Sequence, residues 1–321
     1  MTSSLPSTEQ CVAERSLCER VAPRLQVEKW FAESGRTYRR GRVELWYKRR
    51  VEPQILKFGL KAAGLYARGV RNAETPVLRR LRLGFPNLPV GFEGFQVLHL
   101  SDFHIDGNEG LAERIGALLA GVRVDLCVWT GDYRFDIQGP CDEVYDPMRK
   151  VVASISSKQG VLGILGNHDA AEIAHGLEEM GVRMLVNESV EIFSRGDSLW
   201  VAGIDDPFDY RCDDLRRASA DIPSHAFKIL LAHTPDRYRE AGEAGFDLYL
   251  CGHTHAGQIR LPIIGSVKHN SKTPRLYSYG LWREKQMRGF TTAGIGCSAL
   301  PVRYNCPPEA VLIELGREST T

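Results

Sequence analysis

The sequence predicts an α/β fold, packed mixed β-sheets flanked by helices and preceded by a basic helical extension. Three observations predict it. From about residue 92 short apolar runs alternate with amphipathic stretches. Some runs are joined by helix-length crossovers while others are short and adjacent, which calls for more than one sheet. Charge is also unevenly divided: residues 1–90 hold 18 Lys and Arg against 8 Asp and Glu, and the rest holds 23 against 32. The chain therefore divides into a basic N-terminal extension, 1–90, and an acidic α/β domain, 91–321.

Taken in order, residues 1–25 are polar and mixed in charge and are expected to be disordered or loosely helical. Residues 26–50 interleave aromatic side chains with Arg. The stretch 51–72 reads as a basic amphipathic helix: at 100° per residue Lys57, Lys61, Arg68 and Arg71 fall in one arc, opposite Ile55, Phe58, Leu65 and Tyr66. Such a helix either packs on the body of the protein or lies on an anionic membrane surface. Nucleic acid is a weaker third partner, because no recognisable nucleic-acid module surrounds the basic stretch.

Strands are expected at 96–100, 124–130, 161–165, 199–204, 228–232, 246–251, 289–295 and 310–315, with shorter ones at 183–186 and 190–193. Residues 111–119 and 170–180 repeat apolar side chains at helical spacing.

Composition narrows the class. Hydrophobic and charged fractions of 43% and 25% are ordinary globular values and exclude wholesale disorder or a fibrous chain. The 8 Cys include no C-x-x-C pair, so reduced thiols in a cytoplasmic protein are expected rather than a disulfide framework or zinc finger. No apolar run approaches the ~18 residues that span a bilayer, and the N-terminus has no apolar signal core. The expectation is a cytoplasmic protein, soluble or peripheral on the inner membrane.

The chemistry lies at strand ends. Ser101-Asp102-Phe103-His104 closes the first apolar run, and Thr130-Gly131-Asp132 closes the second. Gly166-Asn167-His168-Asp169, Ala232-His233-Thr234 and Cys251-Gly252-His253-Thr254-His255 follow three more. Residues two apart on a strand share a face, so Asp102 and His104, like His253 and His255, can converge on one ion. Singly, each such residue would read as a loop hydrogen bond or a helix cap. Five together, each where a strand ends, match the place where open α/β folds hold ligands. Carboxylate, amide oxygen and imidazole suit Mn, Fe or Zn.

These five motifs, D-x-H, G-D, G-N-H-D, H and G-H-T-H in that order, resemble the signature of the calcineurin-like metallophosphoesterases over about residues 92–316. The resemblance implies that family's α/β/β/α sandwich and a site for two divalent metal ions. Asp102, His104 and His255 would bind one metal and Asn167, His233 and His253 the other, with Asp132 bridging. His168 would be the catalytic histidine, protonated to stabilise charge or to protonate the leaving group, with Asp169 as its orienting partner. Hydroxide held by the metals would attack phosphorus in line with the leaving oxygen. The family often places another Asn or Asp shortly after the bridging Asp. Here the run is Tyr133-Arg134-Phe135-Asp136, and Arg134 is read as a substrate-phosphate ligand, with a surface salt bridge as its alternative.

The later motifs Gly257-Gln258-Ile259, Ser278-Tyr279-Gly280-Leu281-Trp282, Gly294-Ile295-Gly296 and Leu300-Pro301-Val302-Arg303 resemble a branch of bacterial membrane-associated phosphodiesterases. That branch includes hydrolases of UDP-2,3-diacylglucosamine. The implied activity is cleavage of a phosphodiester or pyrophosphate bond, in a lipid-linked nucleotide by its most specific reading. The alternatives are a general phosphodiesterase or nuclease, and a non-catalytic scaffold, which would be expected to have lost some of these residues. Substrate choice is expected to reside in the loops 205–214 and 262–275.

Overall fold

The computed structural model describes residues 15–266, 268 and 270–318. The expectation for the first 14 residues lies outside that range. Strands β1 to β16 and helices α1 to α9 are numbered in chain order.

The first large sheet runs β1 (Val77–Phe85), β16 (Glu309–Arg317), β2 (Gln96–Leu100), β4 (Leu126–Trp129), β6 (Val161–Gly163), β7 (Val182–Met184). Its last four strands are parallel, and β16 is antiparallel to β2 but parallel to β1. The second runs β14 (Gly280–Glu284), β15 (Met287–Thr291), β11 (Leu248–Cys251), β10 (Lys228–Leu231), β9 (Asp197–Gly203), β8 (Glu188–Ser194). Four parallel strands again form its centre, and antiparallel β14 and β8 close its edges. Two short pairs complete the strands: β3 (Arg123–Val124) with β5 (Ser156–Ser157), and β12 (Arg260–Leu261) with β13 (Gly265–Ser266).

The sheets pack face to face through Val97, Val128, Ile164, Val201, Ile229 and Leu250, all buried. Helices α5 (Leu111–Leu119), α6 (Asp142–Ser154) and α7 (Ala171–Glu179) cover the outer face of the first sheet. Helices α8 (Leu215–Ala218) and α9 (Tyr238–Glu243) cover that of the second. This is the α/β/β/α layering expected, with strands covered on both faces reading as continuous apolar runs.

The N-terminal extension departs from its expected outline. Helix α1 (Leu17–Ser34) is well formed, opened by a capping box of Ser16 and Glu19 and closed by Gly35 at φ 65°. It packs on the domain through Val21, Arg24, Val27 and Phe31, so the extension is not separable at residue 90. The sheet itself begins at Val77. Arg79, Arg80 and Arg82 made this segment read as part of the basic front, but a charged edge strand is a usual protection against pairing with other chains.

The single helix expected over 51–72 is broken. After α2 (Arg42–Trp46) and one wide turn, Tyr47–Val51, come α3 (Glu52–Ala62) and α4 (Tyr66–Ala73). Gly64, at φ 70°, turns the chain between them, so the four cations do not share one arc. Nor does α3 pack its apolar face as a core helix would: Ile55 and Phe58 are 61% and 76% exposed. No helix among the described residues is long and apolar enough to cross a membrane.

Candidate metal centre

The loops that follow β2, β4, β6, β10 and β11 meet at one point, the C-terminal ends of parallel strands from both sheets. Asp102, His104, Asp132, Asn167, His233, His253 and His255 are all buried there, and His168 is half-buried. Strand alternation is not what brings the paired residues together, because β2 ends at Leu100 and β11 at Cys251. Asp102, His104, Asp132, His253 and His255 instead adopt φ of 55°, 42°, 59°, 68° and 50°. Left-handed backbone is costly for residues with a Cβ. The surrounding hydrogen bonds hold it: Asp102 N–H donates to Gly131 O (2.9 Å) and His104 N–H to Asp132 O (3.0 Å).

Two groups of donor atoms result, joined by one carboxylate. In the first, His255 Nε2 lies 3.4 Å from Asp102 Oδ1 and 3.1 Å from His104 Nε2. In the second, Asn167 Oδ1 lies 2.8 Å from His253 Nδ1 and 3.1 Å from His233 Nε2. Asp132 Oδ2 is 3.6 Å from His104 Nε2 and 3.2 Å from His233 Nε2, so it reaches both groups.

The donor set fits a pair of divalent cations. His104 Nδ1 faces Arg134 O (2.8 Å), His233 Nδ1 faces Thr130 O (2.7 Å) and His253 Nε2 faces Asn270 O (2.8 Å). A carbonyl accepts, so each of those nitrogens carries the hydrogen and the opposite one presents a lone pair to the centre. The inward nitrogens of His233 and His253 are 3.2 Å apart. Two lone pairs that close repel unless a bound cation or a proton on one of them lies between.

The electrostatics agree. Burial alone would lower the His233 imidazole, but Asp132 and Asp102 outweigh it and lift it to about 10. The carboxylates thus demand positive charge at that position. Burial, reinforced by His233, holds His253 well below the ordinary value, and burial with His104 and Arg303 does the same for His255. Neutral imidazole is the ligating form.

The neighbours of His168 differ from the expected roles. The His168 ring is oriented by Phe135 O on its Nδ1, and the His168 backbone N–H donates to Asp132 Oδ1 (2.9 Å). The Asp169 carboxylate accepts the backbone N–H groups of Asp132, Tyr133 and Gly166 at 2.7–2.8 Å. It therefore fixes two site loops rather than orienting the imidazole. Burial pushes His168 down to about 3 despite Asp132.

Arg134 is corrected too. It is 3% exposed and donates to His168 O, Gly139 O and Ile137 O. Its planar donors are spent on carbonyls, which leaves neither a phosphate ligand nor a surface salt bridge.

Several supports carried no sequence signal. Arg24, from α1, lies under the Asn167–His168 loop and donates to Gly166 O and Asp169 O. Asp209 Oδ2 accepts from Asn167 Nδ2 (3.1 Å), which turns the amide oxygen toward the centre. Arg303, fully buried, donates to His255 O (3.0 Å) and Gly296 O. It lies within the Leu300-Pro301-Val302-Arg303 motif, but the motif alone gave it no role.

The centre opens into a cavity of about 910 Å³. Asp132, His168, His253 and His255 line it. Ile55, Leu56, Leu60 and Leu65 line it from the N-terminal extension, together with Arg40, Lys48, Arg49 and Arg50.

Sequence comparison with known proteins points the same way. Phosphodiesterase YaeI of Escherichia coli is 29% identical over 231 residues, covering 69% of this chain and 82% of that protein. The uncharacterized metallophosphoesterase YkuE of Bacillus subtilis is 27% identical over 242 residues, covering 71% of this chain and 81% of its own. Among solved structures, the calcineurin-like phosphoesterase YfkN of Bacillus subtilis superposes with a TM-score of 0.39 at 13% identity, covering 62% of this chain and 81% of that one. The family model for calcineurin-like phosphoesterases matches residues 95–257, the span that carries all five motifs. With that match over half its length, the chain belongs to the calcineurin-like phosphoesterases and is a metal-dependent phosphoester hydrolase.

Proposed function

We propose that this protein hydrolyses a phosphodiester or pyrophosphate bond in a lipid-linked substrate such as UDP-2,3-diacylglucosamine, at a membrane surface. The observation that carries the reading is the continuity of the site with its cavity. Asp132, His253 and His255 of the candidate ligand set, with His168, line the same space as Ile55, Leu56 and Leu60 of α3. An amphiphile with its phosphate at the centre and an acyl chain along Leu56 and Leu60 satisfies both groups. Arg40, Lys48, Arg49 and Arg50 add a cationic wall suited to a phosphate or to anionic headgroups. The apolar wall favours a lipid over nucleic acid, and the complete ligand set disfavours a scaffold.

Asp102, His104 and His255 are assigned to one cation and Asn167, His233 and His253 to the other, with Asp132 shared. Two bound divalent cations supply the charge that stabilises an in-line displacement at phosphorus and lowers the pKa of the attacking water. The chain's own groups position and move protons. Phe135 O bonds the His168 ring at Nδ1 and the Asp132 carboxylate anchors its backbone N–H, which leaves Nε2 free on a residue that lines the cavity. An anionic substrate offsets the desolvation that keeps this ring neutral, so His168 gains its proton with the substrate and passes it to the leaving oxygen.

The test is hydrolysis of bis(p-nitrophenyl) phosphate, p-nitrophenyl phosphate and UDP-2,3-diacylglucosamine with Mn, comparing the wild type with Asp132→Asn. Diester cleavage lost in the variant together with bound metal supports the two-metal reading. A soluble diester cleaved while the lipid-linked nucleotide is ignored removes the finer assignment.

A further inference from the structure

Two segments far apart in sequence carry most of the large apolar side chains exposed among the described residues. One spans 43–65 and includes Val43, Trp46, Ile55 and Phe58. The other is the β12–β13 hairpin, with Leu261 45%, Ile263 107% and Ile264 63% exposed. They flank one opening. Arg260, Leu261 and Lys268 line the same cavity as Ile55 and Leu56. Tyr304 ties the two together: its hydroxyl donates to Leu65 O (2.7 Å), and its carbonyl accepts from Arg260 N–H (3.0 Å). Lys268 also pairs with Glu52 at the start of α3.

The hairpin tip projects at a local cost. Ile264 N–H donates to Pro262 O (2.8 Å), closing a three-residue turn centred on Ile263 at φ 71°. That turn is rare and strained, and a β-branched residue suits it least. Full exposure means that Ile263 gains no burial within the protein to offset the strain. Adjacent exposed apolar side chains on a soluble surface mark an interaction site. Arg260 of the hairpin, Lys268 just after it and Lys48, Arg49 and Arg50 line the same cavity. Lys268, Lys48 and Arg49 pair with Glu52, Glu44 and Asp136, and Arg260 and Arg50 add further positive charge.

We propose that the 261–264 turn inserts into the acyl boundary of an anionic lipid bilayer, beside the exposed apolar side chains of α2 and α3, so that the cavity opens onto the membrane. An apolar tip set among cations matches the two layers of such a surface, hydrocarbon beneath and anionic headgroups around it. This extends the lipid-linked reading given above, but its test needs no lipid substrate.

The full chain is sedimented with vesicles of phosphatidylcholine and phosphatidylglycerol, the wild type beside Ile263→Gly/Ile264→Ser. Glycine relieves the turn, so the variant is expected to fold, with an unchanged melting temperature and unchanged hydrolysis of bis(p-nitrophenyl) phosphate. Its partition onto vesicles should fall by about tenfold or more. Equal sedimentation of the two proteins overturns the proposal, as does a wild type that binds no vesicle. Concentration-dependent self-association that only the variant loses also overturns it, making a second copy the occupant. If the wild type cleaves UDP-2,3-diacylglucosamine in detergent micelles while the variant still binds vesicles normally, the hairpin proposal fails and the substrate reading stands. If the variant loses vesicle binding but no lipid-linked ester is ever cleaved, the substrate reading fails and the hairpin proposal stands.

Discussion

Arg24 Nη2 donates to Asp169 O at 2.8 Å, so a residue of the N-terminal helix supports the loop that carries Asn167 and His168. The same guanidinium reaches Gly166 O and pairs with buried Asp205, and it stacks 3.7 Å from the Tyr210 ring centroid. A segment whose first part was expected to be disordered or loosely helical is therefore folded against the site. Arg24→Met would leave the Asp205 carboxylate buried without its ion partner, held only by the Asp206 N–H among the described residues, a loss expected to cost about 3–5 kcal/mol in urea unfolding. Adding Asp205→Asn removes the uncompensated charge and should restore part of that stability. An Arg24→Met protein as stable as the wild type would show that the clamp is dispensable.

His168 is expected to act on the substrate without holding a metal. His168→Ala should retain the wild-type metal content by elemental analysis and lower kcat on bis(p-nitrophenyl) phosphate by about 10²–10⁴-fold. Its Nε2 is the ring nitrogen left free when Nδ1 bonds to Phe135 O. If metal is lost in parallel with activity, the ring is a ligand, as its place in a cluster with His104 and Asp132 would permit.

Much of the site was legible because its residues are punctuated by glycines that cannot be anything else. A Cβ at Gly166 would collide with the Asp132 carboxylate and backbone, and one at Gly252 with Asp102 and Ser101. The G-N-H-D and G-H-T-H motifs therefore mark close approaches as well as ligands. What failed was inference from the wrong geometry. Convergence of Asp102 with His104 was expected from strand alternation, whereas left-handed backbone achieves it. Arg134 and Asp169 stood at the right place in the chain, but their polar atoms turned to backbone groups that no spacing reveals. Strand β1 was hidden because Arg79, Arg80 and Arg82 interrupt its apolar pattern.

Acid sensitivity should owe part of its slope to His99, which lies outside the ligand set. Its Nε2 meets Thr130 Oγ1 at 2.8 Å, and burial pushes its pKa down to about 3. The folded state thus keeps the ring neutral while the unfolded chain takes a proton below pH ~6.5. Between these values the unfolded state binds more protons, so stability falls as pH drops, by up to about 1.4 kcal/mol per unit from this one group. His99→Leu should flatten the dependence of urea stability on pH over that window. An unchanged slope would mean that other groups carry it.

The cavity wall offers a way to separate binding of the acyl chain from the chemistry. Leu60 lines the cavity from α3 and belongs to none of the metal-ligand groups. Leu60→Trp should fill apolar space without touching the centre. For a soluble diester the expected kcat/KM is that of the wild type. For a long-chain lipid-linked diester it should fall by about tenfold or more, mainly through KM, because the lost contact is made equally in ground and transition states. Extending the comparison along a series of acyl lengths sharpens it: short chains should be spared and the penalty should grow until the chain reaches Leu60. An equal loss on soluble and lipid substrates would instead mean that α3 acts on the centre itself, through the pairing of Arg49 with Asp136 beside Phe135.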